Sequence, residues 1–104
     1  MSEEGNRLLM VWDKTLKEVN RSVINPEIKD LGIEDIKPVL ELVARSRADY
    51  LKMLFDIAAE YETGLLPEQK VLELKQHRES YEELVAAAQA LETAVKRNYL
   101  DVHL

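Results

Sequence analysis

Apolar side chains recur every three or four residues along most of this chain, which is the spacing of an amphipathic helix. The pattern predicts three long helices, over residues 4–22, 34–63 and 67–101. No segment alternates apolar and polar residues, and no Asn-Gly or Asp-Gly hairpin pair occurs, so we expect no sheet. The first predicted helix has one apolar face, which consists of Leu8, Trp12, Leu16, Val19 and Val23.

The second predicted helix is apolar on two sides. Its main face carries Ile36, Leu40, Val43, Tyr50, Leu54, Ala58 and Tyr61. A second stripe consists of Leu42, Met53 and Ile57. Because a helix with two apolar sides is normally covered on both, we expect this second stripe to mediate self-association and to give a homodimer.

The third predicted helix has the most regular pattern, a seam in which steps of three and four alternate. The seam consists of Leu74, His77, Tyr81, Leu84, Ala88, Leu91, Val95, Asn98 and Val102. Alanines around residue 88 keep the middle of this helix thin, so a neighbouring helix can approach closely.

Proline and glycine mark where the helices begin and end. Asn25-Pro26 is typical of a capping residue followed by a first-turn proline, and Gly32 of a helix end. These residues predict one short helical turn over residues 26–31. Gly64 and Pro67 predict a short turn between the second and third helices, so those two helices should form an antiparallel hairpin.

Counting outward from that turn gives a register for the hairpin. It places Tyr50 near Tyr81 and Ile36 near Ala94. It also brings the acidic residues 34 and 35 towards the basic residues 96 and 97. The expected fold is therefore all-α, with three long helices plus one short helical turn. The first helix packs alongside the hairpin in an elongated bundle, and residues 1–104 form a single domain.

Composition and charge restrict the classes of partner. The 104 residues include 14 basic and 20 acidic side chains, a formal net charge of −6. This charge argues against nucleic acid or an anionic membrane as the main partner. The sequence opens with Ser2, Glu3 and Glu4, where an export signal would be basic, so we expect a cytoplasmic location.

The residues that could support catalysis or bind a metal do not form a recognisable motif. Glu73 and His77 share a helix face, and a cluster of acids lies at residues 79, 82 and 83. A metal site needs at least three converging ligands, and a solvated acidic face explains the same spacing. No cysteine is present and no serine lies in a nucleophile elbow. We therefore expect a protein that is not an enzyme and has no cofactor or metal.

The turn between the second and third helices is the one candidate binding site. Four acids and no base lie between residues 56 and 69, and the acids at the end of the second helix oppose its dipole. An acidic rim around apolar side chains suits a basic, amphipathic partner. A bundle end capped by leucines and kept soluble by acids explains the same residues. We call this site the tip; it consists of Tyr61, Glu62, Leu65, Leu66 and Glu68.

These features favour a small acidic protein–protein interaction module, an adaptor, chaperone-like protein or scaffold, which self-associates. One different interpretation is an acidic antagonist, similar in kind to an immunity protein or an antitoxin, that masks a basic partner. A third interpretation is a magnesium-dependent hydrolase that uses the acids around Glu79.

Overall fold

A computed structural model describes residues 2–104. It contains three helices and no strand in this range, and 77% of the chain is helical. The helices are α1 (Glu3–Ile24), α2 (Ile33–Glu60) and α3 (Glu68–Lys96). The all-α class and the three long helices are therefore confirmed. The chain divides into two compact units, residues 37–90 and residues 2–36 with 91–104. The expected single-domain organisation stays a prediction.

The unit of residues 37–90 contains the paired parts of α2 and α3, whose contacts are the main helix packing. The rings of Tyr50 and Tyr81 lie 6.3 Å apart, as the register predicted. Arg47 donates hydrogen bonds to the Tyr81 hydroxyl from Nε and Nη2, at 2.9 and 2.7 Å, and its guanidinium lies over the same ring. Ile57 is the buried residue of α2.

The other unit has its own small hydrophobic core. Its buried residues are Leu31, Ala94, Tyr99 and Leu100, and the partly buried residues packed against them are Ile24, Ile36, Leu91 and Val95. Ile36 and Ala94 thus belong to one cluster, as predicted. Leu100 has only 1% of its surface exposed and is the most deeply buried side chain in the described chain.

Helix α3 ends five residues earlier than predicted. Asn98 adopts a left-handed backbone with φ of 61°. The Tyr99 N–H donates to the Ala94 carbonyl at 2.9 Å, and the Asn98 N–H donates to the Val95 carbonyl at 3.1 Å. These two bonds form a Schellman motif, in which a left-handed residue closes the last turn. The predicted seam therefore stops before Asn98 and Val102.

The segment after α3 folds back onto the chain. The Leu31 N–H donates to the Asp101 carbonyl, and the His103 N–H donates to the Leu31 carbonyl, both at 2.9 Å. These bonds make an isolated parallel bridge between Leu31 and Val102. Residues 97–104, which we call the C-terminal tail, are thus held in place, whereas the sequence predicted a continuing helix.

The predicted short helical turn over residues 26–31 is not formed. The N–H groups of Glu27 and Ile28 both donate to the Ile24 carbonyl in a turn that follows α1 directly. Asp30 then takes a left-handed backbone with φ of 50°, which turns the chain towards α2. Gly32 caps α2, since its N–H donates to the Asp35 carboxylate at 3.0 Å.

The charged residues at the start of α2 and at the end of α3 do not pair with each other as predicted. Glu34 contacts His103, and Asp35 accepts the Gly32 N–H. Lys96 instead contacts Glu92 at 2.6 Å, one turn earlier in its own helix. The basic residues at the end of α3 therefore have other partners, because the tail lies beside the start of α2.

Candidate protein-binding surface

The apolar side of α1 is exposed along its length. We call it the α1 apolar face; it consists of Leu8, Val11, Trp12, Leu16, Val19 and Val23, with Thr15 between them. Its six apolar side chains are between 42% and 65% exposed, and α1 has no buried residue. A groove of about 360 Å³ runs along Leu8, Val11, Trp12, Thr15, Leu16 and Val19. Within its own compact unit, the α1 apolar face is exposed. The expected packing of α1 alongside the hairpin stays a prediction.

Helix α1 is held by its opposite, polar side. Arg21 donates to the Asn98 carbonyl at 2.9 Å and forms an ion pair with Asp101. Arg97 donates to the Asp13 carboxylate at 2.8 Å. At 100° per residue, Asp13 and Arg21 lie on the far side of the helix from the middle of the α1 apolar face. The intramolecular contacts of α1 therefore use its polar side and Ile24 at its end, and they leave the α1 apolar face exposed.

The ion pairs that hold α1 lower the pKa values of the two carboxylates that take part in them, Asp13 and Asp101. The hydrogen bond from Arg97 lowers the pKa of the Asp13 carboxyl. The hydrogen bond from Arg21, and next the one from the Asn25 amide, lower the pKa of Asp101. Asn25 also accepts the Asp101 N–H on its side-chain oxygen at 2.8 Å. Both carboxylates are thus ionised at neutral pH, and the contacts persist there.

Helix α1 differs from the rest of the chain in its charge. It carries four acidic and four basic side chains, so its formal charge is zero, and the net −6 of the chain lies entirely outside it. Acids lie in its first turn, at Glu3 and Glu4, and Arg21 lies in its last turn. This order suits the helix dipole. Helix α1 as a whole therefore adds no net charge to the chain.

The tip is also exposed, but it is smaller. Leu65 is 96% exposed and Leu66 about half as much, while Tyr61 is half-buried. Desolvation, and next the charge of Glu60, raise the pKa of the Tyr61 hydroxyl. Because α2 ends at Glu60, Glu62 lies beyond the helix, and Glu60 is the acid that opposes the dipole.

The three residues of the second stripe of α2 differ in how far they are buried. Ile57 is 8% exposed and lies in the interior of its unit. Met53 is half-buried and Leu42 is exposed. Within the part of the chain that the structure describes, only Leu42 and Met53 of this stripe offer surface to a second copy.

The carboxylates that could have formed a catalytic or metal site have basic neighbours instead. Glu73, Glu79 and Glu82 lie 3.7–3.8 Å from a lysine or arginine three or four residues earlier in α3. Glu83 and His77 are exposed. Among residues 2–104, no group of three or more histidines, aspartates or glutamates is arranged to hold a metal ion.

His103 lies between two carboxylates. Its Nδ1 is 3.0 Å from Asp30 and its Nε2 is 2.6 Å from Glu34. The hydrogen bond to Asp30 and next the one to Glu34 raise the pKa of the imidazole. A side chain at Gly32 would collide with both the imidazole and Glu34, so the glycine makes room for this contact. We call Asp30, Glu34 and His103 the tail clamp.

Comparison with protein-family models, with curated proteins and with solved structures finds no match to this chain. None of the helices in residues 2–104 is both long enough and apolar enough to span a membrane. The exposed surfaces of the chain, the α1 apolar face and the tip, are therefore the observations that bear on function.

Sequence reasoning identified the residues of the α1 apolar face, apart from Val11, and predicted that α1 packs alongside the hairpin. The helical period shows that a face is apolar and does not show what covers it. The sequence does contain one indication that α1 attaches by its polar side. Asp13 and Arg21 can pair with the charges at 97 and 101, which lets α1 attach by its polar side.

Proposed function

We propose that this protein is a helical protein–protein interaction module of the adaptor, chaperone-like or scaffold kind, and that the α1 apolar face is its binding surface. The observation that carries the proposal is the orientation of α1. Its polar side makes the intramolecular contacts through Asp13 and Arg21, and its apolar side is exposed. A contiguous apolar surface with a charged border is typical of a protein-binding site.

The size of this face suits a protein partner. Six apolar side chains with roughly 100 Å² exposed on each give about 600 Å². The largest apolar patch on a typical monomer is roughly 300–600 Å² and is often functional.

A pull-down experiment with matched variants tests the proposal. Leu8→Ser removes apolar surface from the groove, and Met10→Ser removes a side chain of similar size that is 73% exposed on the other side of α1. We expect the wild type and Met10→Ser to capture the same protein, which includes a second copy of this chain as a candidate. Leu8→Ser should capture at least tenfold less.

The proposal fails if no captured protein depends on Leu8. Circular dichroism of both variants is the control for folding. Since both side chains are exposed, both variants should keep the helical content of the wild type.

A second candidate function rests on the tip. Leu65 is almost fully exposed beside Glu62, and the chain carries a net charge of −6. These features support an acidic antagonist that masks a basic partner. Changing Glu60 and Glu62 to Gln should then weaken capture and reduce its salt dependence. If Leu65→Ser and Leu66→Ser lower stability and leave capture unchanged, the leucines only cap the hairpin.

A magnesium-dependent hydrolase has less support than either binding function. It would have to use Glu79, Glu82 and Glu83, and two of these have basic neighbours in α3. A cytoplasmic location stays a prediction from the acidic start of the sequence.

A further inference from the structure

Resting on the proposed function, we infer that the α1 apolar face is covered by α1 of a second copy of this chain. The two helices pack antiparallel, with Leu8 of each copy opposite Val19 of the other and Trp12 opposite Thr15. Surface area, side-chain size and charge each support this occupant.

The exposed area of α1 is close to what a stable dimer needs. A standard interface buries roughly 800 Å² on each partner. The six side chains of the α1 apolar face supply about 600 Å² of that requirement. The residues along its border, such as Leu9 and Glu18, are exposed as well and can supply the rest. One helix from each copy is therefore sufficient for the interface.

The face is complementary to itself when the helices run antiparallel. Leu8, Trp12, Thr15 and Val19 follow steps of four, three and four, the spacing of a two-helix seam. With the two-fold axis level with residues 13 and 14, the large Trp12 meets the small Thr15, and Leu8 meets Val19. Gly5 then lies opposite Ser22 and lets the helix ends approach closely. Each bulky side chain thus has a smaller one facing it, which is the condition for close packing.

The charge of α1 permits a second copy, and the helix dipoles favour the antiparallel direction. Two α1 helices can approach without net repulsion between them, because each has a formal charge of zero although the whole chain is at −6. Antiparallel packing places the N-terminal end of each helix beside the C-terminal end of the other, so the two dipoles oppose each other.

Single cysteines test both the partner and the direction. The chain has no cysteine, so every cross-link is attributable to an introduced one. Three proteins are needed, Leu8→Cys, Val19→Cys and Met10→Cys, each treated alone with a short bifunctional thiol reagent. Leu8→Cys and Val19→Cys are also treated as a mixture. In the antiparallel register, the two copies of residue 8 are about 16 Å apart along the axis, as are the two copies of residue 19, which is beyond the reach of a short reagent. Residue 8 of one copy faces residue 19 of the other, and residue 10 lies on the other side of α1.

We expect cross-linked dimer from the mixture and at least fivefold less from Leu8→Cys, Val19→Cys or Met10→Cys alone. Light scattering of the wild type at micromolar concentration should give twice 12.0 kDa. Cross-linking of Leu8→Cys by itself would mean parallel packing and would overturn the inference. So would a mass of 12.0 kDa for the wild type.

Failure of the inference is distinguishable from failure of the proposed function. A monomer that still captures another protein through Leu8 would leave the interaction module in place with a different occupant. A monomer with no Leu8-dependent capture would remove both.

Discussion

Removing the side chain of Leu100 should destabilise the protein far more than truncating an exposed leucine of the same C-terminal tail. Leu100 is 1% exposed and lies among Leu31, Ala94 and Tyr99. Leu→Ala substitutions at buried sites cost about 2–5 kcal/mol, and the cost rises with the volume of the cavity that remains. The neighbouring core is small and partly open, so it can collapse in part. We therefore expect about 2–3.5 kcal/mol for Leu100→Ala.

Urea unfolding followed by circular dichroism measures this loss. With a slope of about 1–3 kcal/mol per molar urea, the midpoint should fall by about 0.7–3.5 M. Leu104→Ala is the matched control, because Leu104 is in the same tail and fully exposed. The control should change the free energy of unfolding by less than about 0.5 kcal/mol. If the two variants unfold at the same midpoint, the tail is not part of the folded core and our account of it is wrong.

Three further predictions concern the tail clamp, α3 and the end of α2. The raised pKa of His103 means that the clamp stabilises the fold fully below the ordinary imidazole pKa of about 6.5 and loses this effect as the pH rises through the higher folded value. The difference in urea midpoint between wild type and His103→Gln should therefore shrink from about pH 5.5 to about pH 8.5, and a constant difference would contradict the clamp. Ala88→Leu adds volume at a half-buried position of α3 and should cost about 1–2 kcal/mol in urea unfolding; an unchanged or higher midpoint would mean that Ala88 faces solvent. Glu60→Gln removes an acid from the last turn of α2 and should raise the free energy of unfolding by a few tenths of a kcal/mol, more at low salt, and any loss of stability would refute the dipole argument.

Sequence reasoning succeeded where local rules determine the outcome. The pairing of Tyr50 with Tyr81 follows from two facts, the fixed rise of a helix and the short turn that Gly64 and Pro67 predict. Helix α1 begins and ends within two residues of its prediction, since Ser2 caps it and Pro26 follows it.

It failed where one residue could satisfy two patterns. Asn98 fits the seam of α3, and it is also one of the few residues that adopt a left-handed backbone without glycine. The structure uses the second property, ends the helix and frees the tail to pair with Leu31. The apolar periodicity could not show whether Asn98 continues α3 or ends it, because contacts of the tail with the distant Leu31 decide between the two.

The candidate binding surface also depends on contacts that helical periodicity does not reveal. The apolar spacing of α1 predicted an amphipathic helix, and the structure confirms that helix. The spacing could not show that Asp13 and Arg21 hold the helix within its own unit, because their partners are distant in the sequence. The exposed position of Leu65 at the tip agrees with a turn, and it does not decide between a cap and a binding site.

The solvent accessibility of Trp12 shows whether a second copy covers the α1 apolar face. Trp12 is the single tryptophan of the chain, it lies in the middle of the α1 apolar face, and it is 65% exposed in one copy. Fluorescence quenching by acrylamide should compare the wild type with Val19→Glu, which places a charge opposite Leu8 of the second copy. Met10→Glu, on the other side of α1, is the control. We predict a shielded Trp12 with blue-shifted emission in the wild type and in Met10→Glu, and stronger quenching with red-shifted emission in Val19→Glu. Equal quenching and emission in all three proteins would contradict the claim that a second copy covers this face.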